Sequence, residues 1–188
     1  MMEDIYLEYM IKRKKSGGQK AIIALIIASG VILTAVLLML TYVCALFLMG
    51  TQFGSFAFSI GLVLIALMWY GAFLLIGMGN VEYEYILTNS EMDIDKIMSK
   101  RGRKHIVSFD FKEISVCANI NDSNHNSNYK NVTPAKIYDA TGDKTADNIY
   151  FIDFNGEGGV TRVIFQPTFK MINSAKKFNP RNIFVMEE

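Results

Sequence analysis

The fold of this chain is decided by residues 21–81, which read AIIALIIASGVILTAVLLMLTYVCALFLMGTQFGSFAFSIGLVLIALMWYGAFLLIGMGNV and contain no Asp, Glu, Lys, Arg or His. As one helix these 61 residues would extend roughly 90 Å, about three times the hydrocarbon thickness of a bilayer. Glycine and small polar residues interrupt the apolar run at residues 49–55 (MGTQFGS), which indicates a turn. The stretch therefore predicts a two-helix transmembrane hairpin with spans at about 22–48 and 56–78.

The lysines and arginines near the spans predict the orientation of the hairpin. None lies in the predicted turn, and those before the first span are Lys12, Arg13, Lys14, Lys15 and Lys20. Because cations resist translocation, we expect a multi-pass protein of the cell membrane with both termini in the cytoplasm. The apolar run is far longer than the core of a secretory signal and lacks an Ala-x-Ala cleavage site, so the first span is predicted to be an uncleaved anchor.

In the N-terminal segment, residues 1–20, Ile5 and Tyr9 have the spacing of one helix face, and the basic run follows them along the chain. Two interpretations are open. The segment is a short interfacial helix whose lysines lie near anionic headgroups, or it is a frayed terminus whose cations only set the topology. Both make it a cytoplasmic segment that is separate from the domain after the spans.

Two features within the spans bear on function. Intramembrane ionisable residues mark the pathways of carriers, pumps and channels, and the spans contain none, so we predict no transport by this chain alone. Small residues at helical spacing let helices approach closely, and they pair in each span: Ala24 with Ala28, and Ala57 with Gly61. They predict packing of the hairpin against itself or, in the alternative, a homodimer or a larger partner.

Residues 82–188 form the predicted β-rich cytoplasmic domain. Alternation of apolar and polar residues predicts six or seven antiparallel strands. Residues 119–134 are rich in Asn and Ser and read as a mobile loop. After Pro167 the period changes, and Thr168 can cap an amphipathic helix. The predicted fold is an antiparallel curled sheet or barrel with one C-terminal α-helix.

Few residues in this domain suit catalysis or metal binding. Asp93 and Asp95 share one strand face, but such a pair is more often the solvated side of a half-buried sheet than a pair of catalytic carboxylates. His105, His125 and Cys117 have no metal-ligand spacing, and no arrangement of Ser, His and Asp can be identified along the chain. We therefore expect no enzyme activity, no cofactor and no metal. With 14 cations against 15 anions, the domain is not expected to bind nucleic acid.

The stretch EYEYILTNSEMDIDKI at residues 82–97, followed by a basic stretch, resembles the signature of an uncharacterised family of small two-span bacterial membrane proteins. That family is catalogued as a domain of unknown function. The basic N-terminal segment, the two spans and VIFQP at residues 163–167 are similar too. The LTN turn at residues 87–89 also resembles bacterial pleckstrin-homology-like domains. These resemblances imply such a sheet domain and no activity, and the expected first hairpin turn, TNSE at residues 88–91, lacks the basic residues of phosphoinositide-binding members.

One basic turn remains as a candidate site. If the first strand extends roughly 23 Å away from the membrane and the second returns about as far, the turn that follows them lies near the inner leaflet. Its cations are Lys100, Arg101, Arg103 and Lys104. We predict that they contact anionic lipid or, in the alternative, form a solvated turn. The function expected first is a membrane-anchored scaffold or accessory protein that binds a protein partner through a strand edge or the loop at 119–134, and the second is an anionic-lipid-sensing module.

Overall fold

The computed structural model describes residues 4–51, 53–99, 102–124 and 126–185. The chain divides into two compact units. One is helical and runs from Lys15 to Asn80, and the other is β-rich and combines the residues up to Lys14 with those from Val81 onward. The residues up to Lys14 thus belong to the β-rich unit and are not the separate segment that the sequence predicts.

The helical unit contains two long apolar helices, α1 at Gly17–Phe47 and α2 at Phe53–Met78. Ser16 caps α1: its side chain accepts a hydrogen bond from the backbone N–H of Gln19, whose side chain accepts one from the backbone N–H of Ser16. Both helices are long and apolar enough to cross a membrane, over Gly17–Phe47 and Phe58–Met78. Each helix begins a few residues before the span predicted from the sequence, and both end close to the predicted positions.

Close contacts between α1 and α2 depend on glycine. A Cβ atom on Gly61 would lie 2.0 Å from Thr41 Cγ2, so the two helices approach closely because this position has no side chain. A Cβ atom on Gly30 would lie 3.4 Å from the ring of Trp69. The Nε1 of Trp69 donates a hydrogen bond of 3.0 Å to Thr34 Oγ1, which adds one polar contact between the helices.

The four small residues singled out in the sequence have different surroundings. Gly61 is buried and packs within the hairpin. Ala24 and Ala28 are exposed on α1. The side chain of Ala57 lies outside what the structure describes. Among the three whose side chains the structure describes, the predicted packing of the hairpin against itself is therefore seen at Gly61 and not at Ala24 or Ala28.

The described residues of the β-rich unit form two four-stranded sheets. The first is antiparallel, with the order β1-β2-β3-β4, and its strands are β1 at Tyr6–Lys12, β2 at Val81–Thr88, β3 at Glu91–Met98 and β4 at Gly102–Asp110. The interfacial helix considered for the N-terminal segment is wrong over Tyr6–Lys12. This stretch is a strand because Leu7, Tyr9 and Ile11 alternate with exposed residues and pack against the core.

The helical unit is inserted into the first hairpin of this sheet. Lys12 at the end of β1 lies opposite Glu82 in β2, where the chain leaves the sheet and returns to it. The backbone N–H of Arg13 extends the pairing with a hydrogen bond of 2.8 Å to the carbonyl of Val81. The turn at residues 88–91, expected to close the first hairpin, therefore closes the second one, between β2 and β3.

The second sheet has the order β5-β7-β8-β6, with β5 at Ile114–Asn119, β6 at Lys136–Asp139, β7 at Tyr150–Gly156 and β8 at Gly159–Phe165. The β6 strand pairs in parallel with β8, so the expectation of a wholly antiparallel domain is wrong there. The loop predicted at 119–134 contains a short helix, α3 at Asn126–Asn131. Tyr129 of α3 packs against Phe151 with ring centroids 5.1 Å apart, which fastens this segment to the sheet.

A C-terminal helix, α4 at Phe169–Lys176, completes the core between the sheets. The side chain of Thr168 accepts a hydrogen bond from the backbone N–H of Met171, which is the predicted cap. Tyr85 from β2 is fully buried, and its hydroxyl donates a hydrogen bond of 2.6 Å to the carbonyl of Ala140. The predicted mostly-β domain with one C-terminal helix is confirmed.

Candidate functional site

Polar side chains converge on the outer face of the first sheet, which is the face opposite the core. Alternation along β2 turns Tyr83 and Tyr85 into the core and Glu84 outward. The register places Glu84 opposite Asp95, and Asp95 opposite His105, so that three strands contribute to one area. We refer to the following set as the polar cluster: Glu84, Asp93, Asp95, Arg103, His105 and Ser108.

Arg103 on β4 holds two carboxylates together. Its Nη2 forms an ion pair with Glu84 Oε2, and its Nε lies 3.5 Å from Asp95 Oδ2. Glu84 and Asp95 are only 2% and 9% exposed, so Asp95, which lies on the outer face as the sequence predicts, is largely shielded from solvent there. Two acidic side chains on adjacent strands repel each other, and the shared guanidinium offsets that repulsion.

The pKa of Glu84 is raised above its usual range. Burial is the main cause, while the guanidinium of Arg103 acts in the opposite direction. A hydrogen bond with Glu8 of β1 and the charges of Glu8 and Asp95 raise the pKa further. As the pH falls, Glu84 therefore takes up a proton before an ordinary glutamate does.

His105 connects Asp95 to Ser108. Its Nδ1 lies 2.9 Å from Asp95 Oδ1, and its Nε2 lies 3.1 Å from Ser108 Oγ. Because Nδ1 faces a carboxylate, this nitrogen carries a hydrogen and donates a hydrogen bond to Asp95. The hydroxyl of Ser108 also donates a hydrogen bond to Asp93 Oδ1. The structure thus brings together an Asp, a His and a Ser that sequence reasoning did not connect.

A β-bulge creates this arrangement. Residues three apart on a regular strand face opposite sides of the sheet, as His105 and Ser108 would. The pairing register with β3 shifts between Ile94 and Asp95, which leaves Ile106 as an extra residue on β4. The shift turns His105 and Ser108 to the same face. Two breaks in the apolar–polar alternation are the sequence signals for this bulge: Lys96 on β3, and the consecutive apolar residues Ile106 and Val107 on β4.

The predicted lipid-binding residues have separate surroundings. Lys100 and Arg101 lie outside the described residues. Arg103 is engaged by the carboxylates of the polar cluster. Lys104 is exposed and, as the next residue of the same strand, lies on the other face of the sheet.

The register positions the two strand ends that flank the predicted basic turn. Met98 at the end of β3 lies opposite Val81, the first residue of β2, and also opposite Gly102, the first residue of β4. The end of β3 and the start of β4 therefore lie at the same end of the sheet as the start of β2.

The cations predicted to set the topology lie on both sides of the start of α1. Lys12 forms an ion pair of 3.6 Å with Glu82, and Lys14 forms one of 2.8 Å with Asp143. Hydrogen bonds from Lys14 and Thr145 lower the pKa of Asp143 to about 2. The remaining three cations are exposed or half-buried: Arg13, Lys15 and Lys20.

Within the described residues, no group of three or more His, Cys, Asp or Glu side chains is arranged to hold a metal ion. Both cysteines are free thiols. Cys117 is fully buried in β5, and burial raises the pKa of its thiol. Its thiolate is therefore disfavoured, which is typical of a cysteine that packs as a small apolar residue.

Two apolar helices inserted into the first hairpin of a β-rich domain with a C-terminal helix define a membrane-associated protein with a small sheet domain. The chain belongs to the family described as "Bacterial PH-like domain (DUF6106)", whose sequence profile matches residues 3–185. PH stands for pleckstrin homology, and the family is a domain of unknown function. The match confirms the resemblance and the fold class predicted from the sequence. No curated protein and no solved structure matches the chain significantly.

Proposed function

We propose that the protein is a membrane-anchored accessory protein whose PH-like domain lies in the cytoplasm and binds another protein. Only 6% of the apolar window of either long helix is buried, so the hairpin has a surface suited to lipid. The lysines and arginines that precede α1 support a cytoplasmic domain because cations resist translocation.

The β1 strand carries the protein-binding part of the proposal. Among the described residues it has a strand neighbour on one side only, which is β2. On its outward side Tyr6 and Met10 are 63% and 47% exposed. An edge strand with exposed aromatic and apolar side chains suits the addition of a strand or the docking of a partner surface. The partner is therefore proposed to bind along β1.

Photocrosslinking in the native membrane tests this proposal. A photoreactive amino acid is placed at Tyr6 or at Met10 of the full chain, and at the exposed Asn173 of α4 as a control. We expect both β1 positions to capture the same identified protein and Asn173 to capture none. Met10→Glu should abolish capture from position 6. Equal capture from position 173, or none from β1, contradicts the proposal.

The register favours a second function, contact with anionic lipid. The strand ends that flank the predicted basic turn, Met98 and Gly102, lie at the sheet end where β2 begins, and Lys104 nearby on β4 is exposed. Each juxtamembrane cation contributes about 1 kcal/mol on an anionic surface, so Lys100, Arg101 and Lys104 would orient the domain and not anchor it. Arg103 is left out of this set because Glu84 and Asp95 hold it.

Hydrogen exchange of the full chain in lipid nanodiscs tests the lipid function. We expect slower amide exchange in Gly102–Asp110 when phosphatidylglycerol is added to phosphatidylcholine. Replacing Lys100, Arg101 and Lys104 by Gln should remove the difference. Lys136→Gln on β6 is the matched control and should leave the difference intact. Identical exchange in the two lipid compositions would exclude this function.

A further inference from the structure

The hydrogen-bonded chain of Asp95, His105 and Ser108 has no role in the proposed function. Its two distances are 2.9 Å and 3.1 Å, within the range for a nucleophile, its general base and the residue that orients the base. We propose that Ser108 is a nucleophilic serine that accepts acyl groups from activated esters and thioesters. His105 acts as its general base, and Asp95 is the positioning residue that orients the imidazole.

The three residues differ in exposure as these roles require. Ser108 and His105 are exposed on the outer face, so the carbonyl of a substrate can reach the hydroxyl. The side chain of Asp95 is only 12% exposed, and Arg103 Nε also holds it at 3.5 Å. All three residues lie on strands of the sheet, which position side chains more rigidly than loops do. The nucleophile is therefore accessible while the orienting carboxylate is fixed.

Asp93 provides a second acceptor for the hydroxyl proton. When the imidazole is neutral, Nδ1–H donates to Asp95, and Nε2 can accept the hydroxyl proton of Ser108. When the imidazole is protonated, Nε2–H donates to Ser108 Oγ, and the hydroxyl donates to Asp93 as the structure shows. The side chains thus remain paired whether or not the imidazole carries an extra proton, and the nucleophilic attack starts from the neutral state, in which the hydroxyl proton of Ser108 faces Nε2.

The proposed step is acyl transfer. Ser108 Oγ attacks the carbonyl carbon of the ester or thioester, a C–O bond forms, and the hydroxyl proton passes to His105 Nε2. The bond to the leaving group then breaks, and the alkoxide or thiolate takes that proton, which leaves an acylated Ser108. A water molecule then attacks the acyl carbon and gives its proton to His105 Nε2. The bond between the acyl carbon and Ser108 Oγ breaks, and Oγ takes that proton from His105, which releases the carboxylic acid and restores the serine. Among the described residues β4 has a strand neighbour on one side only, and we infer that an extended acyl group approaches Ser108 from the other side.

A fluorophosphonate probe, which reacts with nucleophilic serines, tests the proposal on the full chain in detergent micelles. We expect peptide mass spectrometry to find the label on Ser108 and Ser108→Ala to remain unlabelled. His105→Gln should slow labelling about 100-fold or more, as expected for loss of a general base. Asp95→Asn should slow labelling, and Asp95→Glu should restore most of the rate because it keeps the carboxylate. Hydrolysis of p-nitrophenyl acetate should follow the same order.

The exposed Ser123 provides the control, since Ser123→Ala should be labelled like the unchanged protein. The labelling rate of the folded, unchanged chain is also compared with its labelling rate in denaturant. This comparison uses no variant, so it does not require that any variant folds. Equal rates in these two states, absence of label from Ser108, or an unchanged rate in a folded His105→Gln variant would overturn the proposal.

Discussion

Arg162 on β8 and Asp153 on β7 form a buried, bidentate ion pair, with Nε to Oδ1 at 2.7 Å and Nη2 to Oδ2 at 2.6 Å. The two residues are only 4% and 2% exposed. Arg162 Nη1 donates a further hydrogen bond of 2.6 Å to the carbonyl of Tyr129 in α3. The guanidinium also lies 4.7 Å from the ring centroid of Tyr129. The pair therefore fastens α3 to the second sheet within the segment that the sequence predicts to be a mobile loop.

Asp153→Ala should destabilise the β-rich unit by about 3–5 kcal/mol, because the guanidinium of Arg162 would remain buried without its counterion. The measurement is chemical unfolding of the full chain in detergent, with hydrogen exchange in Tyr150–Gly156 as the readout for the β-rich unit. The double variant Asp153→Leu with Arg162→Met buries no charge and should recover most of the loss. If Asp153→Ala lowers the free energy of unfolding by less than about 1 kcal/mol, the pair contributes no more than a surface ion pair does, which contradicts this description.

Gly61→Ala should loosen the packing of α1 against α2, because the new Cβ atom would lie 2.0 Å from Thr41 Cγ2. Steric trapping in detergent measures the stability of the hairpin. Gly71→Ala is the matched control in the same helix: its Cβ atom has no neighbour within 4 Å, so replacing this helical glycine should be neutral or stabilise by up to about 1 kcal/mol. Thr41→Ala should restore part of the stability in the Gly61→Ala background. Equal effects of the two glycine replacements would contradict the close contact.

The hairpin and most strands could be predicted from the sequence because local patterns specify them. The absence of charge over residues 21–81 predicts two spans, and Thr168 marks the start of α4. The β1 strand was missed because Ile5 and Tyr9 are four apart, a spacing that places residues on one face of a helix and equally on one face of a strand. Leu7 and Ile11 complete the period of two, but the partner strand is far away in sequence, beyond both helices.

The candidate site could not be predicted because its geometry depends on pairing between strands. Asp95 faces His105 only in the register that the sheet adopts, and Ser108 joins them only because of the bulge at Ile106. The parallel pairing of β6 likewise results from a contact between segments that are distant in sequence. Period-two patterns identify strands and their buried faces, but they do not specify which strands pair or where the register shifts.

Lys14→Gln should raise the pKa of Asp143 from about 2 toward the ordinary aspartate value. A carboxyl group whose pKa is depressed in the folded state contributes stability that is present above its unfolded pKa. This contribution is lost as the pH falls from about 4 to about 2. Carbon-detected NMR titration of Asp143 in the full chain measures the pKa directly.

Lys144→Gln is the matched control for that titration. Lys144 pairs with Asp139 at 2.9 Å, so its replacement should leave the titration of Asp143 unchanged. Thr145 also donates hydrogen bonds to Asp143, so the Lys14→Gln shift should be partial. A pKa for Asp143 that does not respond to Lys14→Gln would contradict the ion pair.

The insertion of the helices between β1 and β2 predicts which fragments fold. A fragment that begins at Val81 lacks β1 and loses the contact between Tyr9 and Tyr85, whose ring centroids are 6.1 Å apart. We expect it to unfold without cooperativity in circular dichroism. Joining Lys14 to Val81 by a short Gly-Ser linker should instead give a folded domain, because Arg13 N already lies 2.8 Å from Val81 O. If the fragment without β1 is as stable as the linked domain, β1 is not an integral strand of the first sheet.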